Sequence, residues 1–151
     1  MSTVAMSGQD TIIINNRLLA DLAVGDCVAI TFPNEIANVK TGKNGNSIYG
    51  FNASGKQCDV ALSIVRGSKD DKFLNNLLSQ QNQNFSGFVL MIGEFTKQIG
   101  DGAGNISNDT YIMSGGIFTK AVEGKSNVDG DTEQSICHYH LKFSNAPRVL
   151  T

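Results

Sequence analysis

Tryptophan is absent from this chain and tyrosine occurs only three times. The large aromatic platforms on which glycan-binding modules stack sugars are therefore scarce. Cysteine is limited to Cys27, Cys58 and Cys137, an odd number, widely spaced and with no CxxC pair. That excludes a disulfide framework or a zinc module and predicts buried, reduced thiols. Lysine and arginine form no cluster, the net charge is -2 and the pI is about 5.6, which excludes a dedicated nucleic-acid binder with its basic stripe. No apolar run approaches the roughly 20 residues of a membrane span. The opening MSTVAMSGQD has no basic segment followed by an apolar one, so we expect no signal peptide and synthesis in a cytosol.

Catalytic frames are missing too. Histidine occurs only as His138 and His140, on one face of a predicted strand and with no third metal ligand nearby in sequence; we expect no metal. No serine or cysteine stands in a nucleophile frame. The GDGAG of Gly100–Gly104 completes no dinucleotide fingerprint and reads as a turn, and TGKNGNS lacks the spacing of a phosphate loop. Asp129, Asp131 and Glu133 alternate, but Gly130 is out of register with a calcium loop, so a solvated loop is expected. The four N-x-[ST] sequons, at Asn52, Asn84, Asn105 and Asn108, reflect asparagine richness alone. The expectation is a protein that is not an enzyme and carries no cofactor.

What the chain does contain is strand pattern. A length of 151 residues suits one domain with a substantial core. We read residues 1–10 as a mobile arm and 11–151 as a single domain. Thr11–Asn15 is a short buried strand turning at Asn15-Asn16, and Cys27–Phe32 a strand that Pro33-Asn34 stops. Cys58–Arg66 alternates, with Val60, Leu62 and Ile64 on one side. Phe85–Ile99 is a long strand, with Phe88, Leu90 and Ile92 facing one way and Val89, Met91 and Phe95 the other. From Asp109 to Leu150 two long strands flank a polar loop, Glu123–Thr132. In the second strand Cys137, Tyr139, Leu141 and Phe143 share a face. In the first, Ile112, Phe118 and Val122 take one face and Tyr111, Met113 and Ile117 the other, with a bulge or bend expected at Gly115-Gly116.

One helix is expected, over about Ser68–Gln81. Ser68 is its N-cap, Asp71 follows as in a capping box, Asp70 complements the helix dipole, and Phe73, Leu74, Leu77 and Leu78 form its buried stripe. Between the strands, Asn34–Gln57 changes character. It is rich in glycine and asparagine, with Ile36, Val39, Ile48, Tyr49 and Phe51 as its larger apolar residues. We read it as a long loop holding one or two weak strands around Ile48–Phe51. The fold class is mainly β, a sandwich or barrel-like domain of about eight strands with one flanking helix.

The succession RLLADLAVGDCVAITFPN, TGKNGNSIYG, VRGSKDDKFLNNLL and GDTEQSICHYHLKFSNA resembles the tail tube proteins of contractile-tailed bacteriophages over most of the chain, roughly Thr11 to Leu150. The fold is shared with type VI secretion needles and pyocin tubes. The resemblance implies a virion structural protein that self-assembles as homohexameric rings stacked into a hollow tube. It further implies tail sheath, tape measure and baseplate proteins as partners, and a lumen through which DNA passes during ejection without specific binding. The absence of a basic patch suits a conduit. The excursion 34–57, with Ile36, Val39, Ile48, Tyr49 and Phe51, is the candidate ring-stacking segment. The alternatives are a non-catalytic β-sandwich recognition module of a phage appendage and a secretion-system needle subunit.

Overall fold

The computed structural model describes residues 3–6, 10–126, 128–130 and 132–151. In chain order the strands are β1 (Ala5–Met6), β2 (Thr11–Ile14), β3 (Arg17–Leu18), β4 (Val28–Thr31), β5 (Ala37–Thr41), β6 (Ser47–Phe51), β7 (Cys58–Val65), β8 (Met91–Gly100), β9 (Ile106–Phe118), β10 (Ile136–Asn145) and β11 (Arg148–Leu150), with helix α1 (Lys69–Gln83) between β7 and β8. The period-two pattern decides the inner face. Cys58, Val60, Leu62 and Ile64 on β7 and Cys137, Tyr139, Leu141 and Phe143 on β10 are all buried. The two strands pair antiparallel with Tyr139 opposite Leu62, so each strand's apolar set lands on the same side of one sheet.

The sheet runs β3–β2–β8–β9–β10–β7–β4, with β1 added to β8 and β11 to β9; β5 and β6 form a separate pair. Asn15 and Asn16, at φ 48° and 66°, make the tight left-handed turn expected between β2 and β3. After β3 the chain crosses to the far end of the sheet. Val65 donates its N–H to the Asp21 carbonyl and Ala23 donates to Ser63, each at 2.9 Å. The sheet is thereby rolled into a barrel-like body whose interior holds Ile12, Ile14, Leu19, Met91, Met113 and Phe118 along with the β7 and β10 residues.

Three sequence expectations are corrected. The strand expected over Phe85–Ile99 begins only at Met91. Asn84 caps α1 and its side chain accepts the Gly87 N–H at 3.1 Å, so Phe85–Leu90 is spent turning the chain back to the sheet, with Val89 and Leu90 exposed. The strand expected to run to Leu150 is two: after Asn145 the chain leaves β10, and β11 pairs with the first half of β9 while β10 pairs with the second. The faces of β9 also differ from a simple alternation. Met91 pairs with Gly116 and Gly93 with Met113, an irregular register, and Gly115 has φ 68°. This bulge adds a residue, so Met113 and Phe118 are both buried although they differ in parity, while Ile112 is exposed.

Helix α1 is expected to lie beside the sheet, and it does. The Ser68 side chain accepts the Asp71 N–H at 3.2 Å, and Asp71 reaches back to the Gly67 N–H at 2.8 Å, one residue earlier than an ideal capping box. Leu74 and Leu78 are buried in the core, and Phe73 and Leu77 are partly buried against it. Each full burial is worth about 1.5–3 kcal/mol. Polar residues complete the attachment. Asp70, read from the sequence as complementing the helix dipole, is 1% exposed. It accepts from the Ala20 and Asp21 N–H groups at 2.6 and 2.7 Å and from Arg17 Nε at 3.0 Å. Burial works to raise its pKa, but these hydrogen bonds and the Arg17 charge outweigh it and hold the carboxyl below its ordinary range. The Tyr139 hydroxyl donates to the Asp71 carboxylate; burial first, and then that bond, raise the phenol well above its ordinary range.

Candidate functional site

The segment 34–57 is the part of the chain that the core does not explain. Its two five-residue strands pair Ala37 with Phe51, Val39 with Tyr49 and Lys40 with Ile48, and every residue of both strands is exposed. The hairpin closes at Gly42–Asn46, where the Gly42 N–H donates to the Asn46 carbonyl at 2.6 Å and Gly45 adopts φ 82°. Its base is fixed. Asn52 donates its N–H to the Ile36 carbonyl at 2.9 Å, and Gly55 passes so close under Ile36 that an added Cβ would lie 2.5 Å from the Ile36 Cα. The structure is thus a defined hairpin on a stiff base, more regular than a loop with weak strands.

Alternation divides the predicted residues. Val39, Tyr49 and Phe51 share one face with Ala37, while Ile48 lies opposite, beside Lys40; Ile36 sits at the base. Tyr49 is 77% and Phe51 86% exposed. An isolated two-stranded hairpin is at best marginal in water, and large apolar side chains gathered on one arm mark a surface that gains by being covered.

The other sequence candidates are arranged as ordinary surface and core. Asp101 accepts from the Ala103 N–H at 2.7 Å and the Asn105 N–H at 3.1 Å, so the GDGAG turn folds around a carboxylate of its own. The Asn105 side chain, then these amides, lower the Asp101 pKa. His138 Nδ1 is 3.1 Å from Ser63 Oγ, and His140 Nε2 is 3.4 Å from Glu123 Oε1. Among the described residues, no group of three or more His, Cys, Asp or Glu side chains is placed to hold a metal ion. Of the alternating acids, Glu133 pairs with Lys125, Asp129 lies in an exposed turn, and Asp131 falls outside the described residues. Cys58 and Cys137 are buried and Cys27 is partly exposed, all as free thiols; burial, with the Asp59 charge, pushes the Cys58 thiol up to about 11. Among the described residues no helix is long and apolar enough to cross a membrane.

One surface escaped the sequence reading. Leu18, Ile13, Glu94 and Ile112 stand at one register across β3, β2, β8 and β9. Ile12 and Ile14 are buried, so Ile13 and its row point outward. The signal was present in Ile12-Ile13-Ile14, since three consecutive isoleucines on a strand must place one on the outer face.

No protein-family model matches the chain, and no curated protein matches it in sequence. Solved structures do match in shape. A chain of the PVC sheath–tube complex of an extracellular contractile injection system, in the extended state, superposes with TM-score 0.64 at 8% identity, covering 94% of this chain and 88% of that one. A chain of the anti-feeding prophage cap, which terminates the AFP tube, gives TM-score 0.62 at 8% identity over 97% and 92%. A chain of the PVC sheath/tube terminator in the extended state gives 0.56 at 9% identity over 94% of each. With coverage near complete in both directions, the rolled antiparallel sheet and flanking helix of this chain are a contractile-tail-tube-like fold.

Proposed function

We propose that this chain is a non-catalytic structural subunit of a contractile-tail tube, forming hexameric rings that stack through the 34–57 hairpin. The observation that carries the reading is the hairpin itself. It stands off the body with Val39, Tyr49 and Phe51 on one exposed face, and a neighbouring ring supplies the burial that the subunit does not. Sheath, tape measure and baseplate proteins are its further partners, and the finished structure is a virion tail. The net charge of -2 favours a lumen through which DNA slides without being gripped.

Electron microscopy of the purified protein tests this. Six-fold rings and tubes of increasing length are the expected result, and discrete monomers at high concentration would sink the reading. A second reading, a ring that terminates a tube, is favoured by the match to tube terminators over nearly the whole chain. It predicts single rings that do not grow.

A further inference from the structure

The outward row Leu18–Ile13–Glu94–Ile112 crosses four strands in register. Leu18 and Ile112 are about half exposed, and Ile92 flanks the row on β8. Ile13, Ile92, Glu94 and Ile112 border a shallow groove of about 260 Å³, and Glu94 is the only charged one among the described residues lining it. A single acid between apolar side chains on an outer sheet face is a specific recognition pattern. It accepts a partner that is apolar and carries a positive charge, and it repels an acidic one.

The hairpin of this same chain has that composition. From Ile36 to Gly55 its only charged residues are Lys40 and Lys43. Lys40 lies on the face opposite Val39, and Lys43 sits in the turn that the Gly42–Asn46 bond closes. Among the described residues β5 pairs only with β6, and none of the residues lining the groove belongs to 34–57. The hairpin therefore does not fill the groove of its own subunit, and the two surfaces have complementary chemistry. We propose that the groove receives the β5–β6 hairpin of a second copy, with the Val39–Tyr49–Phe51 face over Ile13, Ile92 and Ile112, and Glu94 pairing with Lys43 of the turn. This rests on the tube reading and gives its stacking hairpin an acceptor. Because donor and acceptor are different surfaces, the contact is heterologous and leaves a free groove and a free hairpin at the ends, as continued stacking requires.

The experiment is photo-crosslinking from Phe51→benzoylphenylalanine on a light chain mixed with a uniformly ¹⁵N-labelled chain, so that adducts between copies are separated by mass. The expected adduct joins the light hairpin to heavy peptides from 91–100 or 106–118. Tubes with adducts elsewhere would overturn the acceptor while leaving the tube reading standing. Absence of any assembly would overturn both. In parallel, Glu94→Lys should raise the concentration needed for assembly at least about tenfold. Adding Lys43→Glu to the same chain should bring it back to within about threefold of wild type, whereas adding Lys40→Glu, on the far face, should not. A Glu94→Lys protein that folds by circular dichroism and assembles like wild type would defeat the pairing.

Discussion

Gln81 and Phe118 exchange two buried hydrogen bonds: the Phe118 N–H donates to Gln81 Oε1, and Gln81 Nε2 donates to the Phe118 carbonyl, each at 2.8 Å. The amide completes the ladder where β9 ends, fixing the last turn of α1 to the sheet. Replacing it by an apolar side chain of similar size leaves two buried backbone groups without partners, at about 1–3 kcal/mol each. Gln81→Met should therefore lower unfolding stability by about 2–5 kcal/mol in urea titration. A change under about 0.5 kcal/mol, the range of ordinary surface substitutions, would show that the pair is incidental.

Asp70 gives stability a pH dependence of definite sign. Its folded-state pKa lies below the ordinary 3.8, so its contribution is complete above that value and drains away as the pH falls through the lower folded-state value. Asp70→Asn should cost about 2–4 kcal/mol at pH 7. The gap between variant and wild type should narrow as the pH drops beneath 3.8. Urea midpoints measured from pH 7 downward check this; a gap that stays constant into strong acid would contradict it.

Much of the fold was legible because its elements carry complete local signals. The alternation of β7 and β10, the Asn15-Asn16 turn and the Ser68 cap each specify their structure within a few residues. What was not legible depends on distant partners. Asp70 and Gln81 look like surface residues of a helix, and only the arrival of Ala20 and Phe118 makes them buried anchors. Asn34–Gln57 could be recognised as foreign to the core by its glycines and asparagines. Its pairing of Val39 with Tyr49 follows from turn geometry that composition does not encode. The outward row was hidden because its members come from four strands whose register only the sheet defines.

The Gly115-Gly116 pair illustrates a signal whose consequence needs the structure. A Cβ at Gly116 would lie 2.5 Å from Phe143 Cε1, so the core ring occupies the space that the glycine leaves. Gly116→Ala should destabilise by about 1–3 kcal/mol through overpacking. Combining it with Phe143→Leu should cost less than the sum of the two single changes, because the clash is removed. Chemical denaturation of the four proteins measures the coupling. Simple additivity would mean that Phe143 does not set the requirement for glycine.

The hairpin 34–57 should be the part of the molecule that changes most on assembly. In the free subunit both of its strands are exposed throughout. Ordering its backbone costs about 1–2 kcal/mol per residue, and more for its glycines. The pairing of β5 with β6 offsets part of that cost, and burial of Val39, Tyr49 and Phe51 against another subunit offsets more, at about 25 cal/mol for each Å² removed from water. If the chain stacks as proposed, the arm should open readily in solution and close on assembly, which would restrain premature polymerisation because each docking event must first order it. Hydrogen exchange followed by mass spectrometry reads this directly. We expect fast exchange across 37–51 in free subunits and protection by at least about a hundredfold after assembly, the population change that about 2.7 kcal/mol of docking energy produces. β7 and β10 serve as internal controls, since their amides are already bonded within the sheet and should change little. Equal, fast exchange of the hairpin in both states would remove it from the contact between rings.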